Sequence, residues 1–598
     1  MRQTYTRILS LLDRTQRRHF ALLGCAMLVM GLLDLAGVAS VIPFLGVIAN
    51  PEIIETRDGL SWLFETLGFE TTWGFLQFLG LCVFVLVMTS IAVRAFTFYL
   101  VTRFARGVAT TLGIRLLRQY LARPFEWFLQ QHSADLGKSV LTEVQQVVTG
   151  SIAPAVRALA NGVVLVFLVG FLLYLEPVGA IAVGLLLGLC FGAIYARLRG
   201  YLLEIGRDRK AAVRERYKIT TEAMGGIKEV KILGLEDAYV KRFLDPSWRL
   251  ARHQASVSLL GEMPRYVLEA LAFGGMLLFV LYLLWTHDGG LDAVLPVLGA
   301  FAFAGLKLMP TVQTLFRDLA QIRFNEPALE ALHTDLSTGM TKARRRRPNE
   351  RPVRLRRALR LEGVRYGYPE AGRPALDGLT LEIPAGTSAG FVGPTGAGKT
   401  TAIDVILGLL LPQEGRLLVD DVEITGENRH DWQAEIGYVP QSIFLADDTV
   451  AANIAFGVPE GEIDHEAVVR AAKLAHLDGF VETLERAYDT LVGERGVRFS
   501  GGQRQRIGIA RALYRDPDIV VFDEATSALD TVTERAVMEA IRTLHGQKTV
   551  LMIAHRLSTI AQCDRIFLLK DGRLAGTGDY ETLARGNDAF RTLVAAAE

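Results

Sequence analysis

Six apolar stretches in the first half of the chain, near Phe20–Ile48, Trp73–Leu100, Ala158–Leu175, Val178–Tyr195, Tyr266–Trp285 and Leu291–Met309, leave it few folds to choose from. The core of a bilayer is about 30 Å thick and holds no water, so a crossing segment must satisfy its own backbone groups, which takes a helix of roughly 20 residues. Six spanning helices are therefore expected. Half of the 598 residues are apolar and the net charge is +1, a balance unlike that of a soluble nucleic-acid binder. The first apolar run, preceded by Arg2, Arg7, Arg14, Arg17 and Arg18, is too long for a cleaved leader and is expected to stay as a helix. Cys25, Cys82, Cys190 and Cys563 have neither metal-like spacing nor the density of a disulfide framework.

Flanking charge orients the spans, because Lys and Arg stay on the cytoplasmic side. Arg103, Arg106, Arg115, Arg118 and Arg123 follow the second span, and Arg197, Arg199, Arg207, Arg209, Lys210, Arg214 and Arg216 follow the fourth. The turn Glu176-Pro177 and the link His287 to Gly290 carry no basic residue and face outward. The long connections Thr102 to Ala153 and Arg197 to Glu262 read as helices projecting into the cytosol. In the first outer loop Leu60, Leu63, Phe64 and Leu67 share one helical face, with Trp62 beside them. That pattern fits a short helix lying on the membrane surface or one packed on its own domain.

The run Lys342 to Arg357 is basic and contains Pro348 and Pro352. Beside a membrane domain it reads as a solvated linker or a lipid-headgroup contact rather than a nucleic-acid site. The domains are expected at 1–335 (transmembrane), 336–358 (linker) and 359–598, where short β-like runs alternate with helical patterns as in a parallel-sheet α/β domain.

Gly393-Pro394-Thr395-Gly396-Ala397-Gly398-Lys399-Thr400 fits the phosphate-binding loop G-x-x-x-x-G-K-S/T, after the apolar run Ser388 to Val392 and before the helical run Thr401 to Leu410. Glycines let backbone N–H groups approach phosphate, the helix N-terminus favours negative charge, Lys399 reaches the β- and γ-phosphates, and Thr400 can hold Mg²⁺. Downstream, Ile519-Val-Val-Phe-Asp523-Glu524 is a buried strand ending in two carboxylates. Asp523 can hold Mg²⁺ through water, and Glu524 can polarise the attacking water as general base.

Phe499-Ser500-Gly501-Gly502-Gln503 resembles the Leu-Ser-Gly-Gly-Gln signature of the ABC ATPases, with phenylalanine for leucine. The resemblance covers the whole domain: Gln441 stands at the Q-loop glutamine, Ser527-Ala-Leu-Asp530 at the D-loop, His555 at the switch histidine, and Tyr368 where the family stacks an aromatic on adenine. It implies ATP bound by Tyr368, 393–401 (through Thr401), Gln441, Ser500, Gly501, Gly502, Gln503 and Asp523, with metal contacts from Thr400, Gln441 and Asp523 and catalytic roles for Glu524 and His555. It also implies a homodimer, because the partner's signature closes over each phosphate-binding loop, and one chain has one of each. Leu491-Val-Gly493-Glu494-Arg495-Gly496 resembles the X-loop of six-helix exporters. Arg123-Pro-Phe-Glu-Trp127-Phe128 and Met224-Gly-Gly-Ile-Lys-Glu229 resemble the neighbourhoods of two coupling helices, or are ordinary packing of long helices. The resulting fold class is a six-span α-helical type I exporter domain plus a cytosolic α/β P-loop ATPase.

Charges within spanning helices are costly and point to function. Five occur: Asp34, Arg94, Arg265, Glu269 and Lys307. Counting about 1.5 Å per residue puts the three cations roughly 24 to 31 Å from the outer ends, in one layer where an anionic lipid headgroup would enter. The competing reading is that they snorkel or pair with Asp34 and Glu269, Arg265 and Glu269 being i and i+4. Pro264-Arg265-Tyr266, Thr102-Arg-Phe and Leu306-Lys-Leu-Met-Pro310 resemble the PglK type of lipid-linked oligosaccharide flippase, with lysine at the third cation position. That likeness implies a substrate site at Arg94, Arg265 and Lys307, an anionic polyisoprenoid pyrophosphate-linked glycan as cargo, and a bacterial inner membrane with the N-terminus and ATPase cytoplasmic. The alternatives are export of another amphiphile (a lipid A-like lipid, drug or peptide) or a non-transporting, ATP-gated regulator.

Overall fold

The structure is a computed structural model that describes residues 2–131, 133–286, 291–338, 353–369, 371–493, 496–523, 538–539, 541–553 and 560–595. The chain divides into two compact units, Met1–Arg123 with Trp127–Ala343, and Pro124–Glu126 with Arg344–Glu598.

The first unit is helical. After a short N-terminal helix, α1 (Arg2–Leu11), Asp13 starts α2 (Arg14–Ala39) with a capping box closed by Gln16. The helix breaks at Ser40 and resumes as α3 (Val41–Ala49). Pro43 supplies the reason, since it has no N–H to offer the carbonyl four residues back. Next come α4 (Asp58–Thr66), α5 (Thr72–Leu121), α6 (Ala153–Leu175), α7 (Pro177–Gly225), α8 (Glu236–Thr286) and α9 (Leu291–Thr338). Four stretches of the described residues are long and apolar enough to cross a membrane: Arg14–Ala49, Thr72–Leu121, Asp135–Leu175 and Pro177–Gly225. The fifth and sixth apolar stretches lie on α8 and α9, and many of their side chains fall outside the described set. At 50 residues α5 is about 75 Å long, more than twice the thickness of a bilayer core, so it projects far beyond it.

Leading into α6 are two π-helical turns, Ser139–Glu143 and Val148–Ile152. The second presses Gly150 onto α9 so closely that a Cβ there would sit 2.4 Å from the Asn325 side chain. On α4, Leu60, Leu63 and Phe64 pack against Val47, Ile54, Phe75 and Leu79, while Trp62 is 64% exposed. The apolar face read from the sequence is thus turned onto the chain's own domain.

The second unit has two sheets among the described residues. Strands β1 (Ala358–Tyr366), β2 (Leu376–Pro384), β3 (Ser388–Val392), β4 (Glu414–Val419), β5 (Val422–Glu423), β6 (Ile436–Val439), β7 (Ile519–Asp523), β8 (Thr549–Ile553), β9 (Arg565–Lys570) and β10 (Arg573–Gly578) order as β2-β1-β4-β5 and β10-β9-β3-β8-β7-β6. The first sheet is antiparallel; in the second, β9, β3, β8, β7 and β6 run parallel. Their near-continuous apolar sequences fit strands buried on both faces. Alternate residues feed two cores: Val520, Phe522, Val550 and Met552 one, Ile519, Val521, Leu551 and Ile553 the other.

Candidate functional site

Because β3, β8 and β7 are adjacent and parallel, their carboxyl ends meet at one edge, where α/β sheets bind ligands. The segment 393–398 leaves β3 at this edge and enters α10 (Lys399–Ile406). Gly393 has φ +147° and Gly398 φ +97°; a Cβ would lie 2.2 Å from the Leu569 carbonyl oxygen at the first and 2.5 Å from that of Ala375 at the second. The loop is therefore pressed onto backbone that only glycine allows. Lys399, 7% exposed, donates from Nζ to the carbonyls of Gly393 (2.7 Å) and Pro394 (3.1 Å), which holds its ammonium over the loop. Pro394, Thr395, Gly396 and Thr400 are exposed, Ala397 and Thr401 buried. These residues form the cradle that the loop's spacing implies.

Asp523 ends β7, and its Oδ2 accepts from the hydroxyl of Tyr438 on β6 at 3.2 Å. Burial, and then the charge of Asp523, push the carboxyl of Asp404 on α10 up to about 6. A carboxyl made costly to ionise by burial and by a neighbouring carboxylate, beside a phosphate cradle, suits a divalent cation nearby. The donor set of Thr400, Asp523 and the exposed Gln441, which follows β6, fits Mg²⁺ with an ATP phosphate. Neither Tyr438 nor Asp404 stood out in the sequence. Strand order places the first, and only the sheet edge brings the second near Asp523.

Tyr368 is half-buried, its hydroxyl 3.2 Å from Thr401 Oγ1 and its ring edge-on to Tyr366 at 5.2 Å between centroids. Within the same unit Phe125 packs on the core that includes Tyr366, and the Tyr366 hydroxyl donates to Glu126 Oε1 at 2.7 Å. Burial, reinforced by Glu126, raises the Tyr366 phenol above its usual range.

Ser500 caps α11 (Gly501–Leu513): its Oγ accepts from the Gln503 backbone N–H at 3.3 Å, and Gln503 Oε1 accepts from the Ser500 N–H at 2.8 Å. Phe499 is buried edge-on against Phe480, 5.7 Å between centroids, so its aromatic ring is used in packing. Ser500 and Gly501 are exposed, Gly502 buried and Gln503 half-buried. Glu524, the segment Ser527 to Asp530, His555, Glu494, Arg495 and the basic run 342–351 lie outside the described residues.

In the first unit the membrane charges are paired. Lys307 Nζ donates to Asp34 Oδ1 (2.7 Å) and Ser90 Oγ (3.2 Å), and Ser90 Oγ donates to Asp34 Oδ1 (2.5 Å). Lys307 is 14% exposed at its side chain and Asp34 not at all. Of the two readings of these charges, pairing with a carboxylate is the arrangement Lys307 adopts, because a fully buried carboxylate needs a counter-charge. Arg94 is 34% exposed, its Nη2 3.3 Å from Thr311 Oγ1 and 3.7 Å from Asp34 Oδ2. Arg265 Nε donates to Glu269 Oε1 at 2.7 Å, the i,i+4 pair anticipated from spacing, and half of its side chain is exposed.

Comparison with known proteins completes the description. Residues 376–527 match the family model described as ABC transporter, and residues 53–257 that described as ABC transporter transmembrane region. The ATP-dependent lipid A-core flippase of Cupriavidus pinatubonensis is 32% identical over 499 residues, 83% of each chain. The protein of that name from Ralstonia nicotianae is 30% identical over 543 residues, 90% of each chain. Among solved structures, a bacterial Atm1-family ABC exporter with ATP bound superposes with a TM-score of 0.75 at 24% identity, over 98% of this chain and 99% of that one, a likeness of fold.

Proposed function

The chain belongs to the ABC transporters, as an exporter-type half-transporter whose ATP hydrolysis drives translocation, and from that premise we propose that two copies flip an anionic, phosphorylated glycolipid from the inner to the outer leaflet of a bacterial inner membrane. The observation that carries the lipid class is the kinship with lipid A-core flippases over 83% of the chain.

One loop and one signature per chain require a second copy, and C₂ symmetry then gives two identical composite sites. In each, Tyr368 stacks the adenine, the 393–400 backbone and Lys399 hold the phosphates, and the partner copy's signature helix adds donors to the γ-phosphate. Thr400, Asp523 and Gln441 would hold Mg²⁺, which when bound would supply positive charge to the phosphates. Glu524 acts as the general base that takes the proton of the attacking water, and His555 takes the catalytic role of the switch histidine. The new P–O bond forms as the bond to the β-phosphate oxygen breaks, leaving ADP and phosphate. Both sites have the same residues, so both hydrolyse.

For the cargo, the likeness around Arg94, Arg265 and Lys307 favours a polyisoprenoid pyrophosphate-linked glycan. The names of the relatives favour a lipid A-like molecule. The two share a phosphorylated saccharide on hydrocarbon, which Arg94 and Arg265 can meet with planar, bidentate forks. Purified protein in liposomes, each cargo labelled in turn, decides between them: ATP must deplete one label from one leaflet, and Glu524→Gln must stop it while ATP is still bound. If neither label moves and a neutral amphiphile does, the anionic-cargo reading is lost.

A further inference from the structure

The buried ion cluster on α2, α5 and α9 divides its cations unequally. Asp34 Oδ1 receives two hydrogen bonds, from Lys307 and Ser90, whereas Oδ2 is buried and accepts none. Arg94 Nη2 stands 3.7 Å from that oxygen, beyond hydrogen-bond length, and is held by a single 3.3 Å contact with Thr311. Lys307 is 14% exposed and Arg94 34%. One cation is locked on the carboxylate, and the other is within a short swing of a vacant acceptor while still reaching the surface.

We infer that Asp34 is an internal competitor for the cargo's anion: it holds Lys307 in place and attracts Arg94 loosely, so that Arg94 takes the phosphate and Asp34 sets how tightly it does so. This rests on the anionic-lipid reading and deepens it. A fully buried carboxylate with one unbonded oxygen is costly unless a donor can come to it, and Arg94 is the cation positioned to do so. An arriving phosphate offers the same guanidinium two or more acceptors in a bidentate geometry. Arg94 thus exchanges one anion for another and is never left unpaired. Lys307 is a positioning residue, because its ammonium neutralises Asp34 and keeps the cluster assembled. A cargo without a phosphate has nothing with which to draw Arg94 from Asp34, so the cluster discriminates by charge.

The test measures ATPase stimulation of the full-length protein in zwitterionic nanodiscs carrying increasing amounts of lipid A, of a polyisoprenoid pyrophosphate-linked glycan, or of a neutral glycolipid. Arg94→Gln should raise the half-stimulating concentration of the active phosphorylated lipid at least tenfold. The charge-balanced Asp34→Asn/Lys307→Met removes the competitor and keeps Arg94, and should lower that concentration three- to tenfold. Ser90→Ala frees Oδ1 of one donor, tightens the hold on Arg94, and should raise it two- to threefold. Loss of packing alone would move all three variants in the same direction. If the double variant melts as the wild type does and its half-stimulating concentration is unchanged or higher, the inference is wrong. Should the double variant not fold, an unmoved Ser90→Ala is sufficient to reject it. If the wild type responds to neither phosphorylated lipid, the anionic-cargo reading itself falls, and the inference with it. A wild type that responds and variants that do not differ reject the inference alone.

Discussion

Gly398 joins two demands that no other side chain meets, a left-handed φ of +97° and a backbone oxygen 2.5 Å from where a Cβ would be. Alanine there costs about 1–3 kcal/mol in strain, and the carbonyl of Ala375 has to move away. Gly398→Ala should weaken binding of a fluorescent ATP analogue at least tenfold, whereas Gly396→Ala, at φ +80° but in open space, should cost less. Asp404 gives a pH dependence. Its carboxyl is raised to about 6 from 3.8, so between those values the folded protein holds a proton that the unfolded chain has released. Stability therefore falls as pH rises from about 4 to about 6 and is flat above. With allowance for water reaching a half-buried group, Asp404→Asn should stabilise the metal-free protein at pH 7 by about 1–2 kcal/mol, and the gain should vanish near pH 4 in chemical denaturation. Equal effects at both pH values would contradict the assignment. The two residues differ in how far the sequence discloses them. Gly398 is legible because a loop's spacing is a local matter, whereas Asp404 feels the charge of Asp523, 119 positions away, only through the order of the strands. The membrane charges fall between these cases: the i,i+4 pair Arg265–Glu269 follows from helix geometry, but Lys307 and Asp34 lie 273 positions apart and sequence left their pairing open.

At the scale of elements, α4 shows what periodicity settles and what it leaves open. Leu60, Leu63 and Phe64 at helical spacing establish one apolar face, but lipid and protein are both apolar, so the face's partner does not follow from the pattern. The structure gives it to Phe75, which is fully buried and meets Phe64 edge-on at 5.3 Å between centroids. Phe75→Ala should cost about 3–5 kcal/mol, read as a lowered melting temperature in detergent. Trp62→Ala, on the opposite, exposed face, should stay within about 0.5 kcal/mol. A reversed order would place the apolar face against lipid instead. The break between α2 and α3 is likewise readable only afterwards: Pro43 announces a disturbance, and the structure puts it at Ser40.

For the whole molecule the consequence of the proposed homodimer is that each chain carries half of two sites. Wild type mixed equally with Glu524→Gln gives homodimers and mixed dimers in a 1:2:1 ratio. If both sites must fire, ATPase activity drops to about a quarter of the wild-type value; if they act independently, to about half. A mixed dimer keeps one site with all its residues, so the value, measured after co-expression with distinct tags, reads whether the two sites are coupled, and activity retained by isolated monomers would remove the basis of the composite reading.

α5 and α7 run 50 and 49 residues without interruption. For a rod of about 75 Å, a tilt of about 5° displaces one tip sideways by roughly 6 Å relative to the other. Within the first unit each of these helices is a single long lever.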